Sequence, residues 1–308
     1  MTALSTSCLT PAPIRRAFFF GLAGLALAAT GLSSVQAQGQ KGYRPPTSYL
    51  QLGKPDQEEG RRILESFRAT GSMGIAGDYY LAFELRVMPR RGDEHSFAGQ
   101  MWGSRNSNGA ISRVTLATGA EERRLLVQNG PQPAVWTSQG NAGGAEVAML
   151  GVSALFTPIA DTDLTAFDLQ MPFLYWTDFS YEGIARVRDR PAYQFLLYPP
   201  ADFLAKYPAL TGVRLYLDTQ FRQPVQSEQI GEGGKLLKSM IVQELKRIGE
   251  QWIPKTIDLR NETTRNRTRF GVLGAALNQN FSAGLFAPAA LATEAPAPAA
   301  SLLVPVGQ

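Results

Sequence analysis

The alternation of apolar and polar side chains most constrains what this chain can fold into. Over Tyr79–Met88 every second residue is large and apolar, and the residues between them include Glu84 and Arg86. This period of two is typical of a β-strand with one apolar and one mixed face. Turn sequences such as Asn-Gly separate shorter runs of the same kind. We predict about ten strands, within residues 79–88, 97–102, 111–116, 124–128, 134–137, 193–197, 213–217, 225–230, 236–245, 252–259 and 268–272.

Helical patterns precede and interrupt these strands. Pro55 and the four acidic or amide residues after it suit a first helical turn, and Ile63, Leu64 and Phe67 form a stripe at helical spacing. Residues 145–156 and 163–175 lack alternation and are rich in Ala, Leu, Met and Phe. They predict one or two short helices over an apolar surface, with Asp161 and Asp163 as possible N-caps.

A long antiparallel sheet of this kind cannot stay flat. Twist makes such a sheet curl, and the short helices are then placed to cover its concave face. The sequence therefore predicts a mainly β (α+β) fold: an incomplete antiparallel β-barrel, or half-barrel, with a helical lid over an apolar cavity.

The two ends of the chain have compositions unlike the rest. Arg15 and Arg16 precede an uncharged apolar run over 17–30, and Val35-Gln36-Ala37 suits cleavage by signal peptidase. We predict a signal peptide over 1–37, a polar leader over 38–52, one folded domain over 53–291 and a disordered Ala/Pro-rich tail over 292–308. A membrane anchor is the alternative for the apolar run, although that run is shorter than a spanning helix requires. Export into the periplasm is the expected outcome.

Residue types needed for most catalysis are scarce. The single Cys, Cys8, lies in the predicted signal, and the single His, His95, lies beside the polar sequence 90–94. No HExxH, GxSxG, P-loop or GxGxxG motif occurs in the sequence. Carboxylates remain as candidates for glycoside chemistry or calcium binding, but caps and turns explain them more simply; they are Asp161, Asp163, Asp168, Asp178 and Glu182. We predict no enzyme activity, no cofactor and no metal.

The charge balance does not favour nucleic acid as a partner. The predicted signal holds two of the 30 basic residues and none of the 26 acidic ones, so the remaining chain has a net charge of +2. The most basic stretch, Arg260–Arg269, is interpreted as the polar face of a strand rather than as a binding patch.

Large apolar residues on the predicted strands are the more informative feature. They suit either an ordinary packed core or a concave sheet that shelters acyl chains, whose burial contributes about 0.8 kcal/mol per methylene. The candidate cavity residues are Leu81, Phe83, Leu85, Phe97, Trp102, Trp136, Phe195 and Leu215.

Four groups of residues between 172 and 291 form a recognisable series: Asp178-Phe179-Ser180-Tyr181-Glu182; Arg190-Pro191-Ala192-Tyr193 with Phe195-Leu196-Leu197; Val213 to Asp218 with Gln223-Pro224-Val225; and Gly234 to Lys238 with Trp252-Ile253-Pro254-Lys255 and Phe286-Ala287-Pro288. In their order and spacing they resemble the motifs of the outer-membrane lipoprotein-sorting, LolA-like family. We expect this LolA-like domain to be a lipid carrier, as the resemblance implies.

The resemblance implies a carrier of acylated cargo between membranes, with no cofactor and no reaction. It implies lipoprotein or lipid cargo, an inner-membrane exporter and an outer-membrane acceptor. It also implies an arginine near the cavity that helps to switch the lid, for which Arg86 and Arg113 are candidates. Two other hypotheses stay open: a lipid-responsive envelope sensor with the same fold, and a carboxylate hydrolase that uses Asp178.

Overall fold

The computed structural model describes residues 54–69, 74–119, 121–139 and 146–307. The predicted signal over 1–37 and the polar leader over 38–52 lie outside these residues. Within the described part, no helix has both the length and the apolar content that crossing a bilayer requires.

The described residues form three short α-helices and fourteen strands. The helices are α1 (Gln57–Ala69), α2 (Ala166–Gln170) and α3 (Ala201–Lys206). The strands are β1 (Asp78–Met88), β2 (His95–Asn106), β3 (Gly109–Thr118), β4 (Glu121–Gln128), β5 (Ala134–Gln139), β6 (Val147–Met149), β7 (Phe179–Val187), β8 (Arg190–Leu197), β9 (Gly212–Asp218), β10 (Pro224–Ile230), β11 (Leu236–Ile248), β12 (Gln251–Asn261), β13 (Arg267–Gln279) and β14 (Val304–Pro305). Six 3₁₀ helices lie at Val152–Phe156, Pro172–Tyr175, Glu232–Gly234, Ala283–Phe286, Pro288–Ala292 and Ala300–Leu302.

All fourteen described strands belong to one antiparallel sheet. The order is β6-β5-β4-β3-β2-β1-β13-β12-β11-β10-β9-β8-β7, with β14 paired to β13 beside this path. Strand β1 therefore pairs with β13 from the other end of the chain. Since β6 and β7 are the two edges and do not pair with each other, the sheet stays open. The predicted half-barrel is confirmed.

One face of the sheet, called the inner face here, carries the larger apolar core. Helix α1 contributes Ile63, Leu64 and Phe67 to this core, as the helical stripe predicts, and residues 152–176, called the lid here, contribute more. The lid is rich in stacked rings: Phe156 lies 4.6 Å from Phe167 and 3.7 Å from Tyr207, measured between ring centroids. Helices thus cover the inner face, as predicted.

Two glycines of β2 face aromatic rings of β1. Gly99 pairs with Phe83 and Gly103 with Tyr79. A Cβ atom at Gly99 would lie 2.2 Å from the Phe83 ring, and one at Gly103 would lie 2.1 Å from the Tyr79 ring. Each ring thus fills the space that a side chain on the neighbouring strand would need.

Helix α1 shields the edge strand β7. The Tyr181 backbone N–H donates to Gln57 Oε1 at 2.8 Å, and Gln57 Nε2 donates to the Tyr181 carbonyl oxygen at 2.9 Å. Gly60 allows this approach, because a Cβ there would lie 2.4 Å from Tyr181 Cβ. The free backbone groups of an edge strand are thereby occupied at this point.

Residues 292–307 of the tail are packed against the sheet, contrary to the predicted disorder. Residues 281–306, called the C-terminal strap here, cross the outer face of β1–β5, where Phe286 and Leu291 pack with Trp102. Trp102 Nε1 donates to the Pro296 carbonyl at 3.1 Å, β14 pairs with β13, and Val306 is only 1% exposed. The sequence hides this because the apolar residues of the strap have no periodic spacing, and several of its contacts are made by backbone carbonyls.

The predicted helix over 145–156 is wrong in part. Residues Val147–Met149 form strand β6, and only Val152–Phe156 is helical, as a 3₁₀ turn. In the second predicted helix the N-cap is Thr165, not Asp161 or Asp163: Thr165 and Asp168 form a reciprocal capping box. Strand β7 and helix α3 were absent from the predicted elements.

Candidate functional site

An apolar cavity of about 260 Å³ lies between the inner face of the sheet and the lid. Its sheet wall comes from β1 to β4 and β10 to β13, and its roof comes from the lid. The volume is slightly below the range of about 300–1,000 Å³ typical of small-molecule pockets. The apolar lining residues are Ile75, Tyr79, Leu81, Met101, Ala110, Ile111, Val127, Leu164, Leu169, Met171, Leu174, Pro224, Val225, Met240, Val242, Pro254, Ile257, Leu259 and Phe270.

The cavity has a closed end and an open end. Leu164, Leu259 and Phe270 line the closed end and are all buried. Exposed or half-exposed residues line the opposite end, where the β9–β10 and β11–β12 turns lie. We call this end the mouth; its residues are Gly74, Ile75, Gln223, Pro224 and Pro254. A chain-like ligand can therefore enter from one side with its polar end left near solvent.

A buried ion pair fastens the lid to the sheet at the closed end. Lys238 Nζ on β11 donates to Asp168 Oδ2 at 2.8 Å and to the Asp163 carbonyl oxygen at 2.7 Å. The Asp168 carboxylate also accepts bonds from the Thr165 backbone N–H at 2.9 Å, the Thr165 hydroxyl at 2.7 Å and Gln229 Nε2 at 2.8 Å. Every partner of this carboxylate is a donor, so its charge is compensated inside an apolar region.

Other polar contacts place the part of the lid nearer the mouth. Arg68, at the end of α1, donates through Nε to the Leu174 carbonyl at 2.7 Å and through Nη2 to the Trp176 carbonyl at 2.5 Å. Burial lowers the pKa of this guanidinium. Met171 has a φ of 46°, a left-handed conformation that is strained for a residue other than glycine, and it lines the cavity. The lid thus turns sharply where it meets the mouth.

Tyr79 is a polar handle on the cavity wall. Burial raises the pKa of its hydroxyl to about 12, so the phenol stays neutral at physiological pH. Its hydroxyl lies 3.9 Å from the sulfur of Met101, a weak partner. Three methionines, Met101, Met171 and Met240, line the same cavity, and their flexible side chains suit ligands of variable shape.

The eight predicted cavity residues fall into three groups. Leu81 lines the cavity. Four more, Phe83, Leu85, Phe195 and Leu215, are buried in the inner core but do not line the cavity. Phe97 packs against that core. Trp102 and Trp136 lie on the outer face beneath the C-terminal strap, so the prediction that they line the cavity is wrong. Alternation shows which residues share a face; it does not show which of two apolar faces is concave.

Several lining residues were missed by the sequence reasoning. Met240 lies on the predicted strand over 236–245, and its place in the alternation could have identified it. Ile75 and Met171 lie in irregular segments, where no periodic signal exists.

The five residues of the predicted family motif lie away from the cavity lining. Asp178 is exposed and precedes β7, where its carbonyl accepts a bond from the Tyr198 N–H at 2.9 Å. Phe179 and Ser180 begin the strand, and Tyr181 docks α1. Glu182 accepts bonds from Gln194 Nε2 at 2.5 Å and Arg214 Nε at 2.7 Å. These contacts give the motif a structural role at the sheet edge.

Arg214 also connects Glu182 to a second, buried carboxylate. Arg214 Nη1 lies 3.3 Å from Glu228 Oε2, and Gln226 Nε2 donates to Glu228 Oε1 at 2.6 Å. Burial raises the pKa of Glu228 to about 7. Glu228 pairs with Arg214, and the neighbours of Arg214, Val213 and Leu215, lie in the inner core, so this network lies on the outer face of β7–β10.

The two candidate lid arginines lie away from the cavity. Arg86 is exposed and pairs with Glu94 at 2.5 Å. Arg113 is buried on the outer face and donates to the Thr293 carbonyl of the strap. Neither position suits a lid switch, whereas Arg68 and Lys238 donate hydrogen bonds to the lid.

The basic stretch and the carboxylates have ordinary partners. Arg269 forms a two-pronged ion pair with Asp258, at 2.7 and 2.9 Å, and Arg260 pairs with Glu262 at 2.8 Å. Asp163 accepts a bond from the Thr268 hydroxyl at 3.3 Å. Among the described residues, no group of three or more His, Cys, Asp or Glu side chains could hold a metal ion. His95 is exposed at the start of β2.

Comparison with known proteins identifies the fold. A protein-family model described as "Uncharacterized protein" matches residues 150–293. No curated protein matches the sequence. A solved domain from Vibrio parahaemolyticus, assigned to outer membrane lipoprotein sorting, is 14% identical with a TM-score of 0.66, and the match covers 77% of this chain and 100% of that one.

Two further solved structures agree. A DUF1329 family protein from Desulfovibrio piger is 12% identical with a TM-score of 0.62, over 76% of this chain and 98% of that one. A LolA superfamily protein from Nitrosomonas europaea is 16% identical with a TM-score of 0.53, over 74% of this chain and 96% of that one. Together with the open sheet and its lid, these likenesses show that the chain has the LolA-like half-barrel fold.

Proposed function

We propose that this chain is a periplasmic carrier that binds the acyl chain of a lipoprotein or another lipid and moves it towards the outer membrane. The observation that carries this proposal is the cavity: most of its lining is apolar, one end is lined by buried residues and the other by residues that reach solvent. That shape suits a hydrocarbon chain whose polar end stays at the mouth. The likeness in fold to a domain assigned to lipoprotein sorting supports the choice of cargo.

The remaining parts of the proposal follow from the sequence. Residues 1–37 direct export and are removed, and residues 53–291 form the carrier domain, which the strap completes. An inner-membrane exporter supplies the cargo and an outer-membrane acceptor receives it. No cofactor or reaction is needed, since the cavity offers apolar contact and the carboxylates nearest to it serve the lid.

Filling the cavity tests this function. In Met240→Trp an indole replaces a flexible side chain on the cavity wall, where Met240 pairs with Ser227 and Leu259 on neighbouring strands. We expect displacement of a fluorescent fatty acid to weaken about tenfold or more, because the loss of two methylene contacts already costs about 1.6 kcal/mol.

Met149→Trp is the matched control, since Met149 is 66% exposed on the edge strand β6. It should leave fatty-acid binding unchanged. Native mass spectrometry of protein purified from its host should also show bound lipid. The proposal is refuted if native mass spectrometry shows no bound lipid and Met240→Trp binds the fluorescent fatty acid as well as Met149→Trp does. A single signalling protein recovered in place of lipoproteins would favour the sensor hypothesis.

A further inference from the structure

The β11–β12 hairpin projects from the sheet beside the mouth. The ladder between β10 and β11 ends at the Gln226–Ile241 pair, and the ladder between β12 and β13 reaches only the Thr256–Gly271 pair. In the described ladders, residues 242–255 are therefore paired with each other and with neither neighbouring strand. They form a two-stranded ribbon at the end of the sheet where the cavity opens.

The tip of this ribbon forms part of the rim of the cavity. The Ala76 backbone N–H donates to Gln251 Oε1 at 2.8 Å, and Gln251 Nε2 donates to the Ala76 carbonyl at 3.2 Å. Ala76 follows the mouth residues Gly74 and Ile75, and Pro254 of the ribbon lines the cavity itself. A surface that contacts the ribbon tip thus also lies against the mouth.

The ribbon exposes large apolar side chains to solvent. Trp252 is 57% exposed and Leu245 is 40% exposed. Trp252 pairs with Arg247 and Leu245 pairs with Pro254, which places these four residues on one face. On the other face Ile253 is fully buried in the inner core, whereas its cross-strand partner Lys246 is exposed. The ribbon therefore has apolar groups on both faces, and the exposed face lacks a described covering element.

The chemistry of this face suits a lipid surface. Tryptophan is enriched at membrane interfaces, where the indole ring lies among the lipid headgroups. Residues 244–255 contain three basic and two acidic side chains. Arg247 pairs with Glu250 at 3.1 Å and Lys255 with Glu244 at 3.0 Å, which leaves a net charge of +1 on the ribbon. One net positive charge near an anionic surface contributes about 1 kcal/mol. A stable protein interface needs about 800 Å² from each partner, which two side chains on a narrow ribbon do not supply. Insertion into a bilayer requires no matching surface.

We propose that the exposed face of the β11–β12 ribbon, formed by Leu245, Arg247 and Trp252, docks the protein on an anionic lipid bilayer with the cavity mouth against the membrane. This inference rests on the proposed carrier function and specifies how the cavity exchanges cargo. An acyl chain then passes between bilayer and cavity without crossing water. The ribbon acts as a membrane anchor that is separate from the cavity.

Vesicle binding by the mature chain tests the anchor. Vesicles of phosphatidylcholine with phosphatidylglycerol should sediment the protein, and brominated lipid should quench its tryptophan fluorescence. The quenching reports mainly on Trp252, because Trp102 and Trp176 are 1% and 6% exposed and Trp136 is only partly exposed. Trp252→Ala should weaken vesicle binding about tenfold, because the exposed part of the indole, roughly half of it, is then no longer buried in the bilayer.

Two controls separate this result from folding and from the cavity. Met149→Ala removes another exposed apolar side chain far along the sheet order and should leave vesicle binding unchanged. Trp252→Ala should keep the melting temperature and the binding of a soluble fluorescent fatty acid. Trp252→Phe should retain part of the vesicle binding and so exclude a folding defect.

The outcomes are distinct for the two proposals. Absence of vesicle binding, or equal vesicle binding by Trp252→Ala and the unmutated protein, overturns the anchor and leaves the carrier proposal intact. Capture of a protein partner that depends on Trp252, without vesicle binding, also overturns it. If the unmutated protein binds no fatty acid, the carrier proposal is overturned, whether or not the protein binds vesicles.

Discussion

The ion pair between Lys238 and Asp168 should be one of the most sensitive points of the structure. In Lys238→Met the Asp168 carboxylate loses its cation while its side chain stays 3% exposed. Three donors remain, two from Thr165 and one from Gln229. Removal of one partner of a buried pair usually costs about 3–5 kcal/mol. Because those three donors still compensate part of the charge, we expect the lower end, about 3 kcal/mol of unfolding free energy.

Urea unfolding followed by circular dichroism would measure this cost. Asp168→Asn should also destabilise the protein, since it leaves the Lys238 ammonium with the Asp163 carbonyl as its remaining described acceptor. The double variant should be more stable than the sum of the single costs predicts, by about 2 kcal/mol, because neither charge is then left alone.

A more exposed ion pair between β11 and β12 supplies the control. Lys255 Nζ on β12 lies 3.0 Å from Glu244 on β11, and their side chains are 24% and 57% exposed. Lys255→Met should cost less than about 1 kcal/mol. If Lys238→Met costs no more than Lys255→Met, or if the two changes at the Lys238–Asp168 pair are additive, the reasoning that this pair fastens the lid is refuted.

Three further predictions concern the outer face, the edge strand and the strap. Burial raises the pKa of Glu228 to about 7. The free energy of unfolding should therefore fall by up to about 3 kcal/mol as pH rises from about 4.5 to 7. Glu228→Gln should abolish this pH dependence, measured by urea unfolding at several pH values. Gly60→Ala should lower the melting temperature although alanine favours helices, because its Cβ would lie 2.4 Å from Tyr181 Cβ; Glu59→Ala, at an exposed position of the same helix, should not lower it. Deletion of residues 300–308 removes β14 and the buried Val306, so it should increase the binding of a hydrophobic dye; an unchanged dye signal would contradict the role of the strap.

The sequence predicts the sheet well because alternation is a local property. The run from Tyr79 to Val87 identifies a strand, and the inner positions Phe83 and Leu85 are buried as expected. Alternation does not, however, reveal what covers each face. Trp102 was assigned to the cavity as one of the large apolar residues on the predicted strands, but the strap that buries it comes from a segment with no periodic pattern.

The candidate site is less predictable than the sheet for a physical reason. The cavity depends on where the lid stops, and that position is set by contacts between distant residues such as Lys238 with Asp168 and Arg68 with Leu174. Ile75 and Met171 line the cavity from irregular segments. Only the tertiary structure brings these residues together, and a single sequence carries no record of their distances.

The rings of Phe83 and Tyr79 over Gly99 and Gly103 have a consequence for how this sheet can change over time. A substitution at Gly99 is blocked while Phe83 is present, and a small residue at 83 would leave a hole while glycine is present. The glycine and the aromatic residue of each pair must therefore be substituted together. Among related sequences, an aromatic residue at 83 should coincide with glycine at 99, and independent variation at the two positions would mark a differently built β1–β2 hairpin.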